Sequence, residues 1–119
     1  MRISKEEYLM NIAIEVSKRS TCPDAAVGCV IASEDGYILS TGYNGVRKGE
    51  KHCRVKDGKC LDNGPNHAVN HAEVNSVASA ARFGTKLDGS IAYVTHKPCI
   101  KCEGILFQAG IKKIIVLKK

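Results

Sequence analysis

Residues 91–117, from Ile91 to Leu117, read IAYVTHKPCIKCEGILFQAGIKKIIVL, and their order decides the fold. Ile91–Thr95 is a short apolar run with β-branched and aromatic members, which predicts a strand. Pro98 suits a first helical position, where its missing N–H would have had no partner. Ile105, Leu106 and Ala109 then supply one apolar side of a short helix, which Gly110 closes. Lys113–Leu117 is the next strand. Two strands joined through a helix favour parallel pairing with a right-handed crossover.

Upstream of this segment, Asn70 followed by Glu73 resembles a helix start. Val74, Val77, Ala78 and Ala81 predict the apolar face of that helix, with Gly84 as its stop. Before it lies a long irregular stretch, Asn44 to Asn66, rich in glycine. A loop of that length in a small domain is functional or needs a pin. Further upstream, Val27–Ala32 reads as a buried strand, Asp35-Gly36 as a hairpin turn and Tyr37–Tyr43 as the returning strand. At the start, Ser4 with Glu7 forms a capping box, and Leu9, Ile12, Ala13 and Val16 recur at helical spacing over about residues 5–19. The expected architecture is a three-layer α/β/α domain over residues 1–119. Its mixed sheet has an antiparallel N-terminal hairpin and parallel C-terminal strands.

Composition narrows the setting. The 119 residues are 44% hydrophobic and 25% charged, which suits one soluble globular domain. No apolar run approaches the ~18–20 residues of a membrane helix. The charged opening Met1-Arg2-Ile3-Ser4-Lys5-Glu6-Glu7 is unlike a signal peptide. A reducing cytoplasm is the expected compartment (a host cytoplasm for a bacteriophage protein), and there clustered cysteines point to metal before disulfides. The net charge of +6 suits an anionic partner, but its lysines and arginines are scattered. With no Trp and two Phe, the chain is poorly equipped to stack single-stranded nucleic acid, and none is expected as a partner.

Two segments carry chemistry. His71-Ala72-Glu73 opens one predicted helix, and Pro98-Cys99-Ile100-Lys101-Cys102 opens the next. Helix starts that follow strands cluster at one end of an α/β sheet, where ligand crevices form. One imidazole and two thiolates make a three-ligand zinc site with a fourth position for water, the catalytic rather than the structural pattern. Helix N-termini favour the thiolate forms of Cys99 and Cys102. Glu73 is spaced to point away from the metal itself and toward the reacting atoms, as a proton shuttle would. Taken alone, the C-x-x-C pair could be redox-active or half of a zinc ribbon. The conjunction H-x-E…P-C-x-x-C is the signature of zinc nucleobase deaminases.

The surrounding residues extend the match. They are Val27-Gly28, Thr41-Gly42-Tyr43-Asn44-Gly45, His52-Cys53, Cys60-Leu61, Thr95-His96-Lys97-Pro98-Cys99 and Gly110-Ile111-Lys112-Lys113. Over nearly its whole length the chain resembles the cytidine deaminase superfamily, and within it the deoxycytidylate deaminases of bacteria and bacteriophages. The resemblance implies hydrolysis of dCMP to dUMP and ammonia, with zinc hydroxide attacking C4 and Glu73 shuttling protons. It implies Asn44 as a sugar contact and the backbone at Ala72 as a contact to the base edge. It further implies a homohexamer, activated by dCTP with magnesium and inhibited by dTTP. Tyr43 and Gly45 would lie near the regulatory nucleotide, and Arg82 at a subunit contact. Lys18, Arg19, Arg47 and Lys97 are candidates for the substrate phosphate. Longer members carry a further strand and helix beyond the position of Lys119.

The same resemblance places Cys22 and Cys53 where a phage member holds a second zinc. With Cys60 and His67 they form an expected closed, structural zinc site that would pin the long loop. Cys29, inside an apolar strand, reads as core, and His96 has no assigned task. Two other readings stand beside the dCMP deaminase: a deaminase of another nucleoside or base, and a non-catalytic zinc module that binds nucleic acid. Glu73 separates the enzymes from the module, because a structural domain has no use for an acid beside an open metal position.

Overall fold

The structure, a computed structural model, describes residues 1–22, 26–46, 49–61 and 69–118. The elements in chain order are α1 (Lys5–Ser17), β1 (Gly28–Ala32), β2 (Ile38–Tyr43), β3 (Gly45–Val46), β4 (Val55–Lys56), β5 (Lys59–Cys60), β6 (Val69–Asn70), α2 (Ala72–Phe83), β7 (Ile91–Val94), α3 (Ile100–Gln108) and β8 (Lys113–Val116). The main sheet runs β2-β1-β7-β8. β1 pairs antiparallel with both β2 and β7, and β7 pairs parallel with β8. The mixed sheet expected from the sequence is therefore present.

β1 sits at the centre, and all five of its residues are buried. Its pleat splits them between two cores. Cys29 and Ile31 join Ala92, Val94, Leu106 and Ile111 on the side of α2 and α3. Val30 and Ala32 join Leu9, Met10, Ala13 and Tyr93 on the side of α1. The sheet is thus covered on both faces, giving the three layers.

Two glycines set how closely the helices approach. A Cβ at Gly28 would lie 2.0 Å from the Ala13 carbonyl oxygen, and one at Gly42 would lie 2.5 Å from both Ala72 O and Ser76 N. Gly28 and Gly42 sit on adjoining strands, where Cys29 pairs with Gly42. α1 therefore presses on one face and α2 on the other at nearly the same place.

The face of α2 differs from the expected one. Its buried residues are Ala72, Glu73, Ser76 and Ala80, with Val77 packed at the edge, while Ala78 and Ala81 are exposed. Ala72, Ser76 and Ala80 form a stripe of small residues at spacing four, which lets the helix lie close on Gly42. A search for apolar side chains overlooks such a face.

Helix ends hold with two shifts. The Ser4 hydroxyl accepts the Glu7 N–H at 3.1 Å, as the capping box requires. Gly84 adopts the left-handed conformation, with Thr85 N–H bonded to Ala80 O at 2.8 Å. The residue capping α2 is His71, not Asn70, which pairs in β6 with Gly45 of β3. α3 is capped by Cys99, so Pro98 stands just outside the helix rather than at its first position.

The stretch read as irregular contains a small hairpin. Val55 pairs with Cys60 and Lys56 with Lys59, across Asp57 and Gly58 with φ of 53° and 74°. Two successive positive φ values at Asp-Gly make the turn that matches strand twist.

Candidate active site and thiol cluster

The residues that cap the second and third helices, His71 and Cys99, have extended backbones. The His71 side chain makes no capping bond, and the Cys99 sulfur takes the Cys102 backbone N–H in the first turn of α3. They turn toward each other and toward Cys102, one turn into α3. Cys99 Sγ lies 3.6 Å from His71 Nδ1, and Cys102 Sγ lies 3.2 Å from the same nitrogen. Zinc bonds nitrogen at ~2.0–2.1 Å and sulfur at ~2.3 Å, which puts such atoms about 3.6 Å apart at tetrahedral angles. The structure thus brings together the three residues of the expected catalytic site.

The electrostatics fit a cation. The Cys102 backbone N–H, pointed at Cys99, holds the Cys99 thiol below its usual range, with help from the Cys102 and His71 side chains. Cys102 is pushed up strongly, first by burial and then by Cys99 and Glu73 beside it. A second anion at that place is costly without a positive ion between the sulfurs, and a divalent metal reverses the balance. Glu73 is 3% exposed and interacts directly with the Cys102 side chain. It stands at the rim of the trio, and the three candidate ligand atoms come from the other residues.

Below Glu73, the seam between β2 and α2 is polar. Ser40 Oγ donates to Ser76 O at 2.6 Å, and Ser76 Oγ donates to Ala72 O and Glu73 O at 3.0 and 2.9 Å. Asn75 Nδ2 donates to Tyr43 O at 2.8 Å and reaches Asn70 O at 3.5 Å. Sequence reasoning missed Asn75. The available signal was an asparagine inside a helix, where it is disfavoured unless its side chain has work elsewhere.

Asn44 is buried. Its Oδ1 accepts the Val27 N–H at 2.8 Å, and its carbonyl accepts Ser20 Oγ at 3.0 Å and Thr21 N–H at 3.3 Å. It anchors the entry to β1 and the chain after α1. Ala72 is fully buried in the first turn of α2, and Gly45 pairs in β3. Arg82 is exposed, with its guanidinium 5.3 Å from the Phe83 ring centre.

Of the phosphate candidates, Lys18 pairs with Glu15 at 2.8 Å, and Lys97 lines a groove beside β8 with Glu103 and Phe107. Arg19 is exposed, and Arg47 lies outside the described residues.

The second cluster is also present in part. Cys22, Cys53 and Cys60 converge with their sulfurs within 4.8 Å of one another, and they are 7%, 9% and 9% exposed. The Asp57-Gly58 hairpin brings Cys60 back to Cys53, and Thr21 holds Cys22 nearby by bonding Val46 N–H through its hydroxyl. Burial and the neighbouring Cys60 and Cys22 push the Cys53 thiol up to about 12. His67 lies outside the described residues. None of the six cysteines forms a disulfide.

The sequence model of the cytidine and deoxycytidylate deaminase zinc-binding region matches residues 3–118. The chain belongs to this family. It is 38% identical to ComE operon protein 2 of Bacillus subtilis over 95% of the chain and 59% of that protein. It is 32% identical to the deoxycytidylate deaminase of Enterobacteria phage T4 over 93% of the chain and 76% of that enzyme. A dCMP deaminase from the cyanophage S-TIM5, solved in complex with dCMP and dUMP, superposes with a TM-score of 0.81. That match has 33% identity over 98% of the chain and 82% of the solved one. The chain thus spans about three fifths of the Bacillus protein's length and about four fifths of the cyanophage one. Among the described residues, no helix is long and apolar enough to cross a membrane.

Proposed function

We propose that this chain is a zinc-dependent dCMP deaminase, releasing ammonia to give dUMP. The observation that carries the reading is the trio His71, Cys99 and Cys102 with buried Glu73 at its rim. Similarity to phage deoxycytidylate deaminases points to the substrate.

His71, Cys99 and Cys102 would hold zinc, which when bound supplies a water acidified to near neutral pH. The chain's own residues do the rest. Glu73 accepts a proton on the attacking side and passes it to N3 of the pyrimidine, then takes the proton left on the attacking oxygen and delivers it to the departing amine as the C4–N bond breaks. Its place beside Cys102, on a helix seated rigidly against Gly42, lets one carboxylate serve each transfer. The Ala72 backbone in the first turn of α2 meets the base edge, and Asn44 meets the sugar. The phosphate is met by a basic residue among Lys18, Arg19, Arg47 and Lys97.

The reading extends to a second, structural zinc on Cys22, Cys53, Cys60 and His67, supported by convergence of the three thiols. It also takes in a cytoplasmic setting, which suits six cysteines without a disulfide. A homohexamer regulated by dCTP with magnesium and by dTTP follows from the resemblance of the Thr41–Gly45 segment, with Tyr43, Gly45 and Arg82 at the contacts. The test is a substrate panel for the zinc-loaded protein: dCMP, deoxycytidine, cytidine and guanine, with ammonia as readout. Release chiefly from dCMP supports the reading, and release chiefly from another member of the panel replaces the substrate.

A further inference from the structure

Asn75 lies in the second turn of α2, where an asparagine is a poorer helix former than alanine. Its backbone N–H is spent on the His71 carbonyl at 3.0 Å. Its carboxamide nitrogen reaches two other carbonyls. One is Tyr43 O at 2.8 Å, in the peptide that leads into Asn44. The other is Asn70 O at 3.5 Å, in the peptide that leads into His71. One side chain therefore ties together the two segments that carry the metal-ligand histidine and the expected sugar contact. The Asn44 end is fixed in turn to β1 through Val27 N–H.

We propose that Asn75 is a positioning residue that holds His71 and the Tyr43–Asn44 segment in one frame, so that the metal end and the sugar end of the site keep a fixed separation. This rests on the deaminase reading for the substrate end only. The metal end is independent of it. Two carbonyl oxygens need a donor between them. Alanine removes the donor, aspartate replaces it with a repelling oxygen, and serine keeps a single O–H that reaches less far.

The experiment compares wild type with Asn75→Ala, Asn75→Asp and Asn75→Ser, each loaded with cobalt in place of zinc. The absorption bands of cobalt report the ligand geometry at His71, Cys99 and Cys102. Turnover of dCMP and of CMP with the zinc forms reports the sugar end. The expected result is one metal retained at the trio, cobalt bands displaced from wild type, and kcat/KM for dCMP down by roughly ten- to a hundredfold, chiefly in kcat. The preference for dCMP over CMP should also narrow. Serine should fall between wild type and alanine, and it serves if aspartate fails to fold. Wild-type cobalt bands together with an unchanged dCMP:CMP ratio would overturn the proposal and leave Asn75 as an ordinary structural bond. Displaced bands in a protein whose wild type ignores both nucleotides would uphold the coupling at the metal end and refute the substrate reading.

Discussion

Gly42 lies so close under α2 that a Cβ there would sit 2.5 Å from the Ala72 carbonyl oxygen. Both partners are backbone, so neither can swing away. Gly42→Ala should cost about 1–3 kcal/mol and lower kcat, because Ala72 lies between His71 and Glu73. Gly104→Ala is the control. It lies within α3, and among the described residues nothing comes within 4 Å of the added carbon. That change should instead stabilise by up to about 1 kcal/mol. Thermal unfolding of both variants checks the pair, and equal effects would remove the close-packing explanation.

Glu73→Gln removes the proton-carrying group while keeping its volume. It should lower kcat by about 10²–10⁴, with zinc content and melting temperature near wild type. Metal analysis beside steady-state kinetics separates this from loss of the metal site.

The buried thiol cluster predicts two zinc ions per chain. Cys53→Ser should leave one, lower the melting temperature, and spare much of the dCMP turnover, because His71, Cys99 and Cys102 are untouched. Cys102→Ser should remove the other zinc along with activity. A wild-type count of one would mean the second cluster holds no metal.

Cys29 makes a pH prediction whose sign is fixed. Burial, opposed by a bond from Ser76 and aided by Glu73, pushes its thiol from 9.0 up to about 12. Between those values the unfolded chain has given up a proton that the folded one keeps. Stability from the neutral thiol is therefore complete below pH 9 and declines as pH rises toward 12, by at most about 1.4 kcal/mol per unit. The stability advantage of wild type over Cys29→Ala should shrink across that window in urea unfolding. An advantage that grows with pH would contradict the assignment.

Much of this was legible in the sequence for identifiable reasons. The parallel β7–β8 pair follows from strand, helix and strand in 27 residues, and the trio follows from ligands placed at two helix starts. Other features hid because they depend on small or polar groups. The buried face of α2 is Ala72, Ser76 and Ala80, which no apolar pattern marks. Gly28 and Gly42 entered as matching letters of a resemblance, whereas their physical use is close approach on opposite faces. The Asp57-Gly58 turn carried the same signal as Asp35-Gly36, but its strands are only two residues long. The pairing of β1 with β7 joins segments far apart in the chain, and nothing local specifies it.

The most direct measurement is conversion of dCMP to dUMP by the zinc-loaded protein, followed with the Glu73→Gln variant alongside. The account predicts many turnovers per chain for wild type and near silence for the variant at equal zinc content. No dUMP from a protein carrying zinc at His71, Cys99 and Cys102, or undiminished turnover in Glu73→Gln, would contradict it.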